Sequence, residues 1–204
     1  MEIENQQELW NKIASEWNKY KEKPSENAVL FLKNSQGNVL DLGSGSGRHL
    51  SKIKDGKMYL LDFSEKMLNL AREKAKKMKI PAEFIHAELE KIEKSDEFFD
   101  YAICISALHC IRGKTKRKKV IEELYRVLKK GGEALIGVWN INSKRLKRKK
   151  SKGKEHLIGW TDKGKRYYYL FDEKEIHDLF KSIGFEIVST HNSEMMINFI
   201  AKKN

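Results

Sequence analysis

The stretch Asn38-Val39-Leu40-Asp41-Leu42-Gly43-Ser44-Gly45-Ser46-Gly47-Arg48-His49-Leu50 decides the fold of this chain. It begins with a short apolar run typical of a buried strand and continues with three glycines at alternate positions. Glycine allows a tight turn and lets a ligand approach the main chain closely. The dinucleotide fingerprint G-x-G-x-x-G is absent, because Arg48 and Leu50 stand where its two possible registers require glycine. The stretch therefore predicts a strand followed by a nucleotide-binding turn of another kind.

A second apolar run, Met58 to Leu61, ends in Asp62, which lies 21 residues beyond Asp41. In nucleotide-binding sheets, an acidic residue about 20 positions past the loop accepts hydrogen bonds from the ribose hydroxyls. The order of an acidic residue, a G-x-G-x-G loop and a second acidic residue after the next strand resembles class I S-adenosylmethionine-dependent methyltransferases. The resemblance implies a Rossmann-like fold and S-adenosyl-L-methionine as the cofactor.

The composition is that of a globular protein, with 40% apolar and 34% charged residues in 204. No apolar run approaches the roughly 18 residues that a membrane span requires, and the acidic, polar N-terminus does not resemble a secretory signal. The two cysteines, Cys104 and Cys110, form no C-x-x-C pair, and the six histidines are scattered. We therefore expect a cytoplasmic protein with no membrane contact and no metal site.

The net charge of +12 is concentrated in one segment. Eight basic residues and no acidic ones lie between Lys144 and Lys154, so the remainder of the chain carries 12 − 8, or +4. Such a block is either a solvated loop or a contact surface for a polyanion.

Strands and helices alternate along the chain, which predicts a parallel sheet with right-handed crossovers. We expect a class I methyltransferase fold: a seven-stranded, mostly parallel sheet with helices on both faces and an antiparallel last strand. Residues 1–204 are expected to form a single domain, with a helical flank over residues 1–36 and a basic insertion over residues 143–165. A helix is expected from residue 46, and another is expected to end at Gly131-Gly132.

Ligands of open parallel sheets bind outside the carboxyl ends of the strands. Asp62 is expected to accept from the ribose hydroxyls and Glu88 to bracket the adenine edge. The segment Ser106-Ala107-Leu108-His109 is expected to border the methyl group. The full set of expected cofactor-binding residues is Asp41, Gly43, Ser44, Gly45, Gly47, Asp62, Phe63, Glu88, Leu89 and Ser106.

Two kinds of methyl acceptor are disfavoured because the chain lacks the sequence motifs that usually serve them. Base-amine methylation usually relies on an Asn/Asp-Pro-Pro-aromatic loop after the fourth strand, and this chain has no proline beyond Pro81. Carbon methylation of pyrimidines needs an activated cysteine, often in a Pro-Cys loop, and Cys110 has no such setting. An oxygen or carboxylate acceptor is therefore favoured.

A closer resemblance covers roughly residues 8–190. It is carried, in order, by His109, Lys116-Arg117, the run from Glu123 to Gly132, Val138-Trp139, Ile158-Gly159-Trp160 and Arg166-Tyr167-Tyr168-Tyr169-Leu170-Phe171. These motifs resemble the tRNA methyltransferases that esterify carboxymethyluridine at the wobble position. The resemblance implies tRNA as substrate and a small zinc-binding activator subunit, for which an apolar third or fourth strand at a sheet margin would be the docking edge.

A carboxylate acceptor is already ionised near neutral pH, so its methylation needs placement rather than a general base. Arg166 is our first candidate for a cationic clamp on that carboxylate, with His109 and Lys21 in support. Tyr167 and the two tyrosines after it either stack on an unpaired base or form a strand with one buried face. The basic block would contact RNA phosphates.

Two other functions are open at this stage. A small-molecule O-methyltransferase of the same fold would use the basic insertion only for solubility. A basic RNA-binding module with an inactive cofactor site would have no need of the intact Asp41, glycine loop and Asp62.

Overall fold

The computed structural model describes residues 4–144 and 153–204. Most of the basic block, residues 145–152, lies outside this part of the chain. The helices and strands, in chain order, are α1 (Gln6–Tyr20), α2 (Glu26–Lys33), β1 (Gln36–Leu42), β2 (Lys54–Asp62), α3 (Glu65–Met78), β3 (Ala82–His86), β4 (Phe99–Ile105), a 3-10 turn (Leu108–Cys110), α4 (Lys114–Val127), β5 (Leu128–Trp139), β6 (Glu155–Gly159), β7 (Lys165–Tyr169), α5 (Glu173–Lys181), β8 (Phe185–Thr190) and β9 (Met196–Lys203).

The described residues contain a seven-stranded sheet in the order β3-β2-β1-β4-β5-β9-β8. The first five strands in space are parallel, and β9 is antiparallel to both β5 and β8. The carboxyl-terminal parts of β1, β2 and β4 are buried without alternation, because both faces of a parallel sheet are covered. The predicted Rossmann-like methyltransferase fold is therefore confirmed.

The helix predicted from residue 46 is wrong. Gly43, Gly45 and Gly47 have φ angles of 77°, 53° and 69°, which no right-handed helix contains. Short turns hold the segment instead, with the Gly47 N–H donating to the Ser44 carbonyl at 3.1 Å. The glycines thus wrap the chain into a loop between β1 and β2.

The end predicted for α4 is also wrong. The helix stops at Val127, and Leu128 begins β5 with φ −74° and ψ 139°. Leu128 is fully buried and pairs with Phe99 of β4. Because this burial and pairing place Leu128 in the sheet, the helix ends before the two glycines. Gly131, with φ 76°, lies where the register of β5 shifts.

The sequence predicts the third or fourth strand as the docking edge for an activator subunit, and the structure excludes the fourth. β4 lies between β1 and β5 and has no free edge for another chain. β3 is an outer strand of the seven-stranded sheet, and one of its edges pairs with no other strand of the described residues.

A second, two-stranded sheet, which periodicity did not reveal, begins in the basic insertion with β6 and ends beyond it with β7. β6 and β7 pair antiparallel, with Leu157 opposite Tyr167 and Ile158 opposite Arg166. This hairpin is attached to α1: the Trp160 indole N–H donates to Glu16 at 2.6 Å, and the Tyr167 N–H donates to Gln6 at 2.9 Å.

Candidate active site

A cavity of about 570 Å³ opens at the carboxyl ends of β1, β2 and β4. We call it the glycine-loop cavity. Its lining comes from α1, from the loop after β1, and from the segments that follow β2, β3 and β4. The lining residues used below are Trp10, Trp17, Lys21, Gly43, Ser44, Gly45, Arg48, Asp62, Phe63, Glu88, Leu89, Ser106, His109, Trp139 and Tyr168.

The three glycines of the loop have different physical roles. A Cβ atom on Gly43 would lie 2.3 Å from the Cβ of Ala107, and one on Gly47 would lie 3.0 Å from the Cβ of Ala71. A Cβ on Gly45 would meet nothing within 4 Å. Gly43 and Gly47 therefore allow close packing, and Gly45 faces open space. Gly47 does not line the cavity, although it was predicted among the cofactor-binding residues.

These contacts predict unequal effects of two matched substitutions. Gly43→Ala should lower the free energy of unfolding by about 2–4 kcal/mol, because the left-handed backbone is strained and the new methyl overlaps Ala107. Gly45→Ala has the same type of backbone strain without the overlap and should cost about 1 kcal/mol. Urea unfolding of both variants measures the difference, and equal losses would contradict the packing role of Gly43.

Asp62 is almost completely buried at the end of β2 and lines the cavity. Its carboxylate accepts from the Gly45 N–H at 2.8 Å and from the Ser64 N–H at 2.9 Å. Burial raises the pKa of Asp62 to about 6, and these two backbone hydrogen bonds oppose the rise. The carboxylate is therefore fixed in orientation and keeps lone pairs for a hydroxyl-bearing ligand.

Asp41 lies behind the loop. It is completely buried, does not line the cavity, and leaves its Oδ2 atom without a hydrogen-bond partner among the described residues. Burial raises its pKa to about 7, with the positive charge of Arg48 opposing. Asp41 therefore has no direct contact with the cavity, and its interaction with Arg48 is electrostatic.

Three predicted residues lie on the opposite wall. Phe63, exposed Glu88 and buried Leu89 all line the cavity beyond the ends of β2 and β3. The Phe63 carbonyl accepts from the Gln7 side chain at 2.6 Å, which attaches α1 to this wall. An acidic and an apolar group side by side suit the polar edge and the face of an adenine ring.

Ser106 and His109 follow β4 and line the cavity. Ser106 has a left-handed φ of 63°, and its N–H donates to the Gly137 carbonyl at 2.9 Å. His109 is 1% exposed, and its Nδ1 atom accepts from the Trp139 N–H at 3.1 Å. Burial, with Arg48 and Lys21 nearby, lowers the pKa of His109 to about 3.

His109 is therefore neutral at pH 7, and the prediction of a cationic His109 is wrong. Since Nδ1 accepts a hydrogen bond, the proton must reside on Nε2. The ring offers one N–H donor and no positive charge.

The strand parity of β7 decides which tyrosine faces the cavity. Tyr168 lines it and stacks on Trp139, with ring centres 4.4 Å apart and planes 6° apart. Tyr167 does not line either cavity, and its hydroxyl donates to Glu155 at 3.0 Å. The prediction of Tyr167 as a site residue is therefore corrected to Tyr168.

A second cavity of about 600 Å³ adjoins the first. We call it the hairpin cavity, because Ile158, Trp160 and Arg166 of the β6–β7 hairpin line it. The two cavities share six lining residues: Trp17, Lys21, Arg48, Ile105, Ser106 and Trp139.

Arg166 is 6% exposed and lies in an aromatic cage. Its guanidinium carbon is 4.8 Å from the ring centre of Trp160, 5.1 Å from that of Trp17 and 5.2 Å from that of Tyr168. Its Nη1 atom donates to the Tyr168 hydroxyl at 2.6 Å, and its Nε finds no hydrogen-bond partner within residues 4–144 and 153–204. Among the described residues, Arg166 forms no ion pair with a carboxylate. The cage therefore holds a buried positive charge beside the hairpin cavity.

Sequence reasoning missed the part that α1 takes in the cavity. Trp10 and Trp17 line it, and the Ser64 hydroxyl donates to Asn11 at 2.7 Å, which fastens the helix to α3. Leu9, Ile13 and Trp17 lie four residues apart, a spacing typical of an amphipathic helix, but this spacing does not specify what the helix covers.

The described residues contain no group of three or more His, Cys, Asp or Glu side chains that could hold a metal ion. In the same part of the chain, no helix is both long enough and apolar enough to cross a membrane.

A family model described as a methyltransferase domain matches residues 33–182. The chain belongs to this methyltransferase family. The prediction of a class I S-adenosylmethionine-dependent methyltransferase is thus confirmed, and the glycine-loop cavity of this methyltransferase suits that cofactor: Asp62 for the hydroxyls, Leu89 for an apolar face and the open side of Gly45 for close approach.

Two curated relatives are equally similar to this methyltransferase. A tRNA (carboxymethyluridine(34)-5-O)-methyltransferase of Arabidopsis thaliana is 34% identical over 57% of the chain and 27% of that protein. A ubiquinone/menaquinone biosynthesis C-methyltransferase of Escherichia fergusonii is 34% identical over 48% of the chain and 41% of that protein. The chain thus spans between a quarter and a half of the length of these relatives.

Solved structures share the fold. A methyltransferase of Methanosarcina mazei has a TM-score of 0.74 and 22% identity, covering 89% of this chain and 98% of that one. A methyltransferase solved in complex with the Haloferax volcanii Trm112 methyltransferase activator has a TM-score of 0.73 and 14% identity, covering 98% of this chain and 97% of that one.

The raised pKa of Asp62 predicts a pH dependence of cofactor binding. In the role predicted for Asp62, only the ionised carboxylate would accept from both ribose hydroxyls, so affinity for S-adenosylhomocysteine should fall about tenfold for each pH unit below about 6. Calorimetric titration between pH 5 and pH 8 measures this dependence. The Asp62→Asn variant should bind weakly and lose the dependence; if the dependence persists there, Asp62 is not the titrating group.

Proposed function

We propose that this methyltransferase transfers the methyl group of S-adenosylmethionine to the carboxylate of a carboxymethyluridine at the tRNA wobble position. Two relatives support this substrate by their activity: the Arabidopsis enzyme, and the mouse tRNA (carboxymethyluridine(34)-5-O)-methyltransferase, which is 29% identical over 74% of this chain and 22% of that protein. In this proposal the cofactor binds in the glycine-loop cavity and the modified uridine binds in the hairpin cavity.

The observation that carries the proposal is the caged charge of Arg166. A buried guanidinium is costly unless an anion pairs with it, and aromatic faces compensate only part of that cost. A carboxylate substrate entering the hairpin cavity would supply the missing anion. The cage of Trp17, Trp160 and Tyr168 supplies flat faces on which a pyrimidine would stack.

The neutral state of His109 agrees with the chemistry of ester formation. A carboxylate with a pKa near 4 is ionised at pH 7, so attack on the sulfonium methyl releases no proton and needs no base. The protein has to hold the carboxylate in line with the methyl group while it leaves one oxygen lone pair free. Arg166 would bind one oxygen, Lys21 would add a second positive charge, and the Nε2–H of His109 is a further donor at the shared wall.

RNA phosphates need a basic surface near the mouth of the cavities. The block from Lys144 to Lys154, proposed for this role, has residues 145–152 outside the described part of the chain. Within the described part, Arg112 and Lys116 are exposed and line the glycine-loop cavity. Contacts of this type supply affinity that weakens with salt and carries no sequence information.

We also propose a small zinc-binding activator subunit on the free edge of β3, where a partner strand would extend the sheet. The structure solved with the Trm112 activator supports such a partner for a protein of this fold.

The test is transfer of labelled methyl from S-adenosylmethionine to tRNA, with and without the activator, followed by digestion to nucleosides. We expect label in an alkali-labile ester on a uridine, and transfer should decline steeply as salt is raised. Saturable cofactor binding with no label in any tRNA nucleoside would reject the tRNA substrate.

A small-molecule methyltransferase is the second candidate, favoured by the ubiquinone/menaquinone biosynthesis C-methyltransferases among the relatives. A carbon acceptor must lose a proton during methylation, so its rate would depend on a base. Ester formation on a carboxylate would instead show a rate that is flat above pH 7. A basic RNA-binding module without activity, the third interpretation, would bind tRNA but show no saturable binding of S-adenosylmethionine.

A further inference from the structure

One edge of β7 is satisfied by side chains instead of a neighbouring strand. Along its other edge β7 pairs with β6, where Arg166 is opposite Ile158. The hairpin is a sheet of two strands, so within the described residues no third strand lies beside β7. Main-chain polar groups at such an edge need other hydrogen-bond partners. The groups concerned belong to Lys165 and Tyr167, the two neighbours of Arg166 in the chain.

The start of α1 supplies these partners. The Gln6 Oε1 atom accepts from the Tyr167 N–H at 2.9 Å, and the Gln6 Nε2 atom donates to the Lys165 carbonyl at 3.2 Å. The Glu4 carboxylate accepts from the Lys165 N–H. A single amide side chain thus forms the pair of hydrogen bonds that a neighbouring strand would form on the two sides of Arg166.

Both donors of the Gln6 amide are engaged within the protein. Gln6 lines the glycine-loop cavity, so a direct contact with the cofactor has to be considered. A primary amide has two N–H donors. One of them donates to the Lys165 carbonyl, and Nε2 also donates to the Glu4 carbonyl at 3.1 Å. The Gln6 amide therefore directs its donors to the main chain and not into the cavity.

α1 determines both the cage around Arg166 and the strand from which Arg166 projects. Trp17 contributes its ring to the cage, with its ring centre 5.1 Å from the guanidinium carbon. Gln6 and Trp17 are 17 − 6, or 11, residues apart. This separation is about three helical turns, so both side chains lie on the same face of α1. One helix face thus holds Arg166 at its main chain and at its guanidinium.

We propose that Gln6 is a positioning residue for Arg166. Its amide fixes the main chain of β7, so that the guanidinium is held where an acceptor carboxylate would bind. This inference rests on the role of Arg166 in the proposed function. A displacement of about 1 Å in a reacting group can lower a rate about a hundredfold. Gln6 would therefore affect methyl transfer through Arg166, without contact with either substrate.

Nuclear magnetic resonance can measure the placement of Arg166 in the protein alone. The aromatic rings of the cage shift the signal of the Arg166 Nε–H proton away from that of a free arginine, and the signal is assigned by its loss in Arg166→Gln. Gln6→Met removes both hydrogen bonds to β7 at a similar side-chain length, so the signal should move toward the free value. Glu16 still accepts from the Trp160 indole at 2.6 Å, which keeps α1 on the hairpin.

Gln7→Met is the matched control. Gln7 follows Gln6 in the same helical turn, but its amide donates to the Phe63 carbonyl on the cofactor side at 2.6 Å. This variant should leave the Arg166 signal in place, whereas a general loosening of α1 would move the signal in both variants. An unmoved signal in Gln6→Met, or equal movement in the two variants, overturns the proposal for any acceptor.

Methyl transfer to tRNA measures the effect on the reaction. Gln6→Met should lower kcat/KM for tRNA about tenfold and keep the affinity for S-adenosylhomocysteine within about twofold. In the Arg166→Gln background the same substitution should cause less than about a twofold further loss, and an equal loss in both backgrounds would contradict action through Arg166. If the wild-type protein labels no tRNA, the proposed function fails, while a moved Arg166 signal in Gln6→Met alone still supports the positioning role.

Discussion

Arg166→Gln should reduce methyl transfer to tRNA by at least about a hundredfold and leave the affinity for S-adenosylhomocysteine within about twofold. The reason is that Arg166 lines the hairpin cavity and not the glycine-loop cavity, so the substitution would remove the proposed clamp on the acceptor and spare the cofactor. Steady-state transfer to tRNA and calorimetric titration of S-adenosylhomocysteine measure the two effects. Normal transfer by the variant would exclude Arg166 from the acceptor site.

Loss of the guanidinium also removes contacts with the cage, so the stability of the variant has to be measured beside its activity. Arg117→Gln is a matched control. Arg117 is also buried, donates to the Ile111 carbonyl at 2.9 Å and lies 3.8 Å from the ring centre of Tyr169. Since Arg117 lines neither cavity, its loss should destabilise the fold without a comparable loss of transfer from the folded fraction.

Asp62→Asn should weaken S-adenosylhomocysteine about a hundredfold at pH 7.5. The amide keeps one acceptor oxygen for the backbone and loses the charged acceptor pair for the ribose hydroxyls. The fold should not be weakened, because the folded-state pKa of about 6 is raised above the usual value near 4. Above pH 6 the ionised carboxylate therefore destabilises the unliganded protein. The gain from a neutral replacement is offset by one lost hydrogen bond, because the amide nitrogen cannot accept from the Gly45 or Ser64 N–H, so the free energy of unfolding should change by less than about 1 kcal/mol.

Asp100→Asn provides the comparison at the opposite end of the sheet. Asp100 also accepts a backbone N–H, that of Asn38 at 2.8 Å, and it lies at the start of β4, away from the cavity. Its substitution should leave cofactor affinity unchanged. Unchanged affinity in the Asp62 variant as well would reject the ribose role of Asp62.

The two halves of the site differ in how far the sequence predicted them. The cofactor half comes from the ends of adjacent strands, so the order of strands in the chain brings Gly45, Asp62 and Ser106 to one edge of the sheet. Alternation of strands and helices was enough to predict that edge. Asp41 and Gly47 were assigned to the ligand by the same pattern, but neither lines the cavity, because packing directs one inward and the other against Ala71.

The proposed acceptor half depends on contacts between segments far apart in the chain. Hairpin register turns Tyr168 rather than Tyr167 toward Trp139, and the docking of α1 on that hairpin builds the cage around Arg166. Neither feature has a local signal. The prediction of a positive charge on His109 was wrong for a related reason. Its pKa near 3 results from burial and neighbouring cations, and both depend on the folded structure.

The sequence by itself determined the fold class, the glycine loop and the carboxylate that follows the second strand, because these depend on local backbone geometry and on a strand order that connection rules restrict. Only the tertiary structure decided the division into two cavities, the neutral state of His109, and the separate positions of Arg48 and Arg166. These depend on burial and on distances between residues remote in the chain, and local sequence patterns specify neither.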